Sequence, residues 1–130
     1  MSYLLDADLV ISFLNGQRPA IELVNQLAEA GLFLSIIAYG EVYEGLISRR
    51  ESESYRENLE RLVALVNMMS PDVEIAHLYG GIRAGLRVQG LLIPDNGLWI
   101  AATALAHDLT LVSRDQHFSR IPGLKVYAFS

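Results

Sequence analysis

The residues that could do chemistry in this chain are acidic. Asp6 closes the short apolar run Tyr3-Leu4-Leu5, and Asp115 stands just beyond a second apolar run, Leu111-Val112, with Ser113 and Arg114 between. Glu41 falls in the first turns of the helix expected after the apolar stretch Leu32 to Ile36. An acid that ends a buried strand has little structural use. Three oxygen-bearing side chains from separate parts of the chain, with no cysteine and no paired histidine beside them, suit a hard cation such as Mg²⁺ or Mn²⁺. Like charges in a shared site raise one another's pKa unless a cation neutralises them. One or two such ions could polarise a phosphodiester, lower the pKa of a bound water and steady the leaving oxygen during in-line displacement.

Two further acids have a competing structural use. Asp8 precedes the helix expected from Leu9 and reads as its cap, while its carboxylate could also supply the site with an oxygen. Asp95 stands before the helix expected from Asn96 and carries the same two readings. His77, His107 and His117 show no i,i+4 pairing and read as surface or helix-end residues. Trp99 either faces the core of its helix or stacks on a base, and the tyrosines form no aromatic stripe of the kind that binds single strands.

The elements that must position these acids follow from periodicity and punctuation. After the strand at Tyr3 to Leu5, a brief helix covers Leu9 to Leu14 and closes at Asn15-Gly16. A second helix runs from about Pro19 to Ala30, with Ile21, Val24 and Leu27 on one face and Gly31 as its stop. The strand Leu32 to Ile36 leads into a helix from Ala38 to about Arg50 that carries Glu41. An amphipathic helix follows from about Ser54 to Asn67, and Ser70-Pro71 breaks it. A very short strand is expected at Asp72 to Glu74, then a helix from Ile75 that stops at Gly90, a helix over Asn96 to His107, a strand at Thr110 to Val112, a turn of helix around Phe118 and a last strand at Leu124 to Tyr127. Strands alternating with helices imply an α/β domain whose mainly parallel sheet is covered on both faces. In such sheets the site forms beyond the carboxyl ends of the strands, which is where Asp6, Glu41 and Asp115 fall.

The chain has 130 residues, 52% of them hydrophobic, enough for the core of one domain over residues 1–130. Cysteine is absent, so disulfides and thiolate metal sites are excluded and a reducing cytoplasm is the expected home. No apolar run approaches membrane-spanning length. The net charge of −5 opposes binding to a polyanion, which draws its affinity from Lys and Arg. Nearly all the cations are arginines, however, and their planar forks grip phosphate one at a time. Arg49 with Arg50, Arg83 with Arg87, Arg114 and Arg120 are the grouped ones; Arg83, Arg87 and Arg114 are the candidate phosphate contacts.

Four ordered segments now combine. Tyr3-Leu4-Leu5-Asp6-Ala7-Asp8, Ser35-Ile36-Ile37-Ala38-Tyr39-Gly40-Glu41-Val42-Tyr43-Glu44-Gly45, Ile93-Pro94-Asp95-Asn96-Gly97-Leu98-Trp99-Ile100-Ala101-Ala102 and Leu111-Val112-Ser113-Arg114-Asp115 resemble the successive motifs of VapC-type PIN-domain toxins, and the resemblance extends over the whole chain. It implies a three-layer α/β/α PIN domain and a divalent-metal site, with Asp6 as first ligand, Glu41 as second acid, Asp115 as last and Ser113 as a hydroxyl behind them. It also implies a Mg²⁺- or Mn²⁺-dependent endoribonuclease leaving a 5′-phosphate and a 3′-hydroxyl, a cognate VapB-like antitoxin that blocks the site, and a homodimer.

One position departs from the family. Three residues before Ile100-Ala101-Ala102 such toxins carry an aspartate, and here Gly97 stands in its place. Glycine offers no ligand and weakens a helix by roughly 1 kcal/mol relative to alanine, so Gly97 reads as a lost ligand. Asp95 is the nearest substitute, but two residues are about 200° of helical rotation. An alternative follows: a catalytically silent domain that only binds an antitoxin or RNA. A further rival is a haloacid-dehalogenase-like phosphatase, which Asp6-Ala7-Asp8 also resembles, with Lys125 as the one lysine available to it.

Overall fold

The computed structural model describes residues 1–49 and 52–129, with the Arg49 side chain outside that description. The expected phosphate-gripping role of the Arg49-Arg50 pair therefore lies outside the described residues. Among the described residues five strands form one sheet: β1 (Tyr3–Leu5), β2 (Leu32–Ser35), β3 (Asn67–Met69), β4 (Thr110–Ser113) and β5 (Val126–Ala128). They lie in the order β3-β2-β1-β4-β5 and every pairing is parallel. The middle strand β1 sets Tyr3 opposite both Leu32 and Thr110, and Leu5 opposite Val112. Leu4, Leu5, Leu34, Leu111 and Val112 are fully buried, as expected of short apolar strands sandwiched between helices.

The helices are α1 (Ala7–Leu14), α2 (Arg18–Leu27), α3 (Ile36–Arg49), α4 (Glu53–Leu65), α5 (Val73–Gln89) and α6 (Asp95–Ala106). Helix α1 packs on α2, α3 and α4, while α5 lies along α6. From β1 the chain steps outward to β2 and β3, then returns through α5 and α6 to β4 on the other side of β1. The order reverses between β1 and β4, so a crevice opens beyond their carboxyl ends.

Three expectations need correction. The short strand placed at Asp72 to Glu74 is at Asn67–Met69 instead, where it pairs with β2 through Phe33 opposite Asn67. The amphipathic helix accordingly ends at Leu65, and Asp72 caps α5 by accepting from the Ile75 N–H at 2.9 Å. The first helix begins at Ala7, so its cap is Asp6 and Asp8 sits inside the first turn. Helix α6 starts at Asp95 with Pro94 before it and no side-chain cap, so Asp95 is used differently, as described below.

Candidate active site

Asp6 leaves the end of β1 in an extended conformation and turns the chain into α1. One carboxylate oxygen accepts from the Ala7 N–H at 2.9 Å and the other from the Ser113 hydroxyl at 2.7 Å. Ser113 is the last residue of β4 and is buried, and its Oγ in turn accepts from the Asp115 N–H at 3.0 Å. The hydroxyl therefore ties the ends of the two central strands together and points Asp6 outward from the sheet.

Glu41 comes from α3, whose start is set by buried Ser35, with Oγ accepting from the Ile37 N–H at 3.1 Å. It shares the lining of the cleft with Asn96, the second residue of α6, whose side chain draws its pKa down. Asp115 caps a short 3-10 turn by accepting from the His117 N–H at 2.9 Å, and the His117 ring nitrogen Nδ1 lies 3.1 Å from the same oxygen. Asp6, Glu41, Asp115, Asp95, Asn96 and Gly97 all line one cleft of about 340 Å³, walled by Ile93, Ile100 and Phe118.

The electrostatics of the cleft resist charge. Burial, then the neighbouring Asp8 and more weakly Glu41, push the Asp6 carboxyl from 3.8 up to about 6, against the opposing hydrogen bonds of Ser113 and Ala7. Burial and Asp8 likewise raise Glu41, which Asn96 offsets in part. Asp8 is raised by burial and steadied by the N–H groups of Arg114 and Leu9, at 3.2 and 2.7 Å. It thereby links α1 to the loop after β4, with Ser113 Oγ 3.4 Å away.

The donor chemistry fits a hard cation: the cleft offers carboxylate and amide oxygens and no thiolate. Among the described residues, however, no group of three or more acidic or histidine side chains is disposed to hold a metal ion. The remaining lining of the cleft therefore matters. Gly97 contributes no side chain, and a Cβ there would make ordinary contact, 3.5 Å from Phe118 and 3.6 Å from Ile93. Packing thus does not require glycine at this position.

The other sequence candidates are placed as follows. Asp95 is held from α5, accepting from Tyr79 Oη at 3.0 Å and Arg83 Nε at 3.1 Å, and these bonds keep its carboxyl below the usual range. Tyr79 stacks on Trp99, the ring centres 4.1 Å apart and nearly parallel, so Trp99 faces a tyrosine and not the helix core. The Arg114 guanidinium donates to Ser12 at 3.0 Å and lies over the Phe129 ring. Arg120 is bound to the Leu91 and Leu92 carbonyls. Lys125 pairs with Asp108 at 2.7 Å beside the starts of β4 and β5, the edge opposite Asp6, where it cannot serve a phosphate held at the cleft. Asn96 and His117 were not singled out from sequence. An amide at a helix start looks like ordinary turn chemistry, and the Asp115-x-His117 spacing was the only available sign of the second.

A family model described as PIN domain matches residues 3–124. The chain is 34% identical over 129 residues to ribonuclease VapC1 of Haemophilus influenzae strain R2866, covering 96% of each. It is 26% identical over 129 residues to ribonuclease VapC2 of Rickettsia felis, covering 95% of each. Its fold superposes with a TM-score of 0.91, at 25% identity and over the whole of both chains, on a chain of the crystal structure of VapBC2 from Rickettsia felis bound to a DNA fragment from their promoter. The match to a chain of VapBC-1 from nontypeable Haemophilus influenzae has a TM-score of 0.80 at 33% identity, covering 98% of each.

Proposed function

The chain belongs to the PIN domain family, and from that premise we propose that it is the metal-dependent endoribonuclease toxin of a toxin–antitoxin pair, restrained by a VapB-like antitoxin and acting as a homodimer. The observation that carries the reading is the convergence of Asp6, Glu41 and Asp115 on one cleft at the switch point of a parallel sheet. These three carboxylates are the donors that Mg²⁺ or Mn²⁺ would meet in the cleft, and they would have to draw together to hold it. When bound, such an ion supplies positive charge to the phosphodiester and makes water a usable nucleophile at neutral pH.

The chain's own residues do the rest. Ser113 donates to Asp6 and so favours its ionised form and fixes its direction, while Asn96 favours the ionised form of Glu41. Ile93, Ile100 and Phe118 form an apolar wall that limits water around the acids and strengthens their pull. Catalysis here is positioning and charge stabilisation, with cleavage expected to leave a 5′-phosphate and a 3′-hydroxyl. Arg87 on α5 is the phosphate contact of this reading, and Arg83 would join it only on leaving Asp95. Arg114, tied to Ser12 and Phe129, would first have to leave them.

Gly97 favours a second reading, in which the domain binds antitoxin or RNA without cutting. The test is cleavage of a mixed cellular RNA pool by this chain and by Gly97→Asp, with Mg²⁺ or Mn²⁺ and an EDTA control. Cleavage by the variant alone, by at least ~100-fold over the parent, supports the PIN nuclease reading and a silent parent; a loss of that size, about 2.7 kcal/mol, is typical of removing one charge-stabilising group. Equal cleavage by both makes Gly97 harmless. Cleavage by neither overturns the nuclease reading.

A further inference from the structure

Tyr79, Arg83 and Arg87 repeat every four residues along α5, so they form one row on that helix, each about 6 Å beyond the last. The row meets α6 at its first residue. Tyr79 Oη and Arg83 Nε both donate to Asp95, at 3.0 and 3.1 Å, and Asp95 lines the cleft. Trp99, one turn further along α6, lies flat on the Tyr79 ring, with centres 4.1 Å apart and planes 8° from parallel. Tyr79 packs against the hydrophobic core, and Trp99 is half-buried against it. Arg87 is exposed, and among the described residues it has neither a hydrogen bond nor an ion pair.

We propose that this row is a track for single-stranded RNA leading to the lip of the cleft, with a nucleobase stacked on Trp99 and phosphates gripped by Arg87 and then Arg83. This rests on the reading of the chain as a protein that acts on RNA. The stack with Tyr79 holds the indole ring in place, and a planar ring fixed at the surface offers a π face that any base can cover. The arginines supply what the net charge of −5 denies the surface as a whole: forks that bind phosphate one at a time. Asp95 sets the threshold of the track. Its carboxylate holds Arg83 by Nε, so an arriving strand must exchange one anion for another before Arg83 can grip a phosphate.

The test uses the full chain in EDTA, where nothing is cut, and a 2′-O-methylated oligouridylate of about ten nucleotides, a length that single-strand grooves commonly cover. Trp99 is the only tryptophan in the chain, so its emission reports the platform directly. The oligouridylate should quench that emission, and an abasic strand of equal length should bind more weakly without quenching. Followed by the anisotropy of a labelled strand, Trp99→Leu should weaken binding on the order of 10-fold, the scale of one lost base stack, and Trp99→Phe should recover part of it. Arg87→Ala should flatten the logarithmic salt dependence by about 0.7, the share of one phosphate on a single strand. Asp95→Asn should tighten binding, whereas an Asp95 with a structural role only would leave it unchanged or weaker. Circular dichroism at the assay temperature checks that each variant is folded, and Trp99→Phe and Arg87→Ala carry the test if Trp99→Leu is not. An abasic strand bound as tightly as the oligouridylate, or a Trp99→Leu equal to the parent, overturns the platform. Polyglutamate bound in place of the oligouridylate does the same and makes the row a site for acidic peptide. If the parent binds no strand while Gly97→Asp cuts RNA, this inference falls and the nuclease reading stands; if the track binds as expected and Gly97→Asp cuts nothing, the reverse holds.

Discussion

Burial and the nearby charges of Asp8 and Glu41 lift the Asp6 carboxyl from 3.8 to about 6, which makes a prediction about stability. A folded-state pKa above the unfolded value means that the folded chain binds the extra proton, so the contribution of Asp6 to stability is fully present below about 4 and is lost as pH rises through 6. In EDTA, Asp6→Asn should therefore melt several degrees above the parent at pH 8, a gain of up to about 3 kcal/mol, and the gap should close toward pH 4. Adding Mn²⁺ at pH 8 should reverse the order, because only the parent gains by binding it. A variant no more stable than the parent in EDTA would show that Asp6 is not under electrostatic strain. Asp6, Glu41 and Asp115 were legible in the sequence because an acid that interrupts or ends an apolar run violates the pattern around it. Asn96 violates nothing, and its importance comes from sharing the cleft with Glu41, a residue 55 positions earlier that only the tertiary fold brings near.

Helices with a clear apolar face were readable as elements, α2, α4 and α5 among them, with ends shifted by up to three residues, the largest shift at α2, which ends at Leu27 and passes into a 3-10 turn over Ala28–Ala30. Strand β3 was not. Asn67-Met68-Met69 has neither alternation nor β-branched residues, and its strand conformation comes from pairing with β2 and not from local preference. Pairing with β2 also halts α4 at Leu65, leaving α3 and α4 side by side with a groove of about 290 Å³ between them, lined by Tyr39, Tyr43, Leu46, Leu59 and Val63. Tyr43, Val63 and nearby Ile47 are exposed, more apolar surface than this sheet needs to cover it. An antitoxin segment is expected to lie there. Val63→Glu should weaken binding of the co-expressed antitoxin by at least ~10-fold, the effect of a charge buried against an apolar segment, while changing stability by only about 0.5 kcal/mol. Unchanged antitoxin capture would move the interface elsewhere.

For the whole molecule, the alternation of strands and helices disclosed an α/β sandwich with a parallel sheet, but the strand order was hidden, since crossovers leave no mark on composition. The charge of −5 was plain from the start, and its meaning came with the side-chain placements. Among the described residues Arg83, Arg114 and Arg120 are engaged within the protein, which leaves fewer cations there ready for phosphates. Cleavage of dilute RNA should then fall only on the order of 10-fold between 50 and 200 mM KCl, the slope of about two neutralised phosphates on a single strand. A fall of a thousandfold would reveal a basic surface that a lone chain lacks. The hydrogen bond from Ser113 to Asp6 spans 107 residues and joins the first strand to the fourth. A nascent chain leaves the ribosome from its amino end, so Asp6 emerges before Ser113 and must wait for 107 further residues before its partner arrives. A nuclease arranged this way has no half-made cutting edge while its strands are still being made: the first acid stays without its partner until the fourth strand has been synthesised.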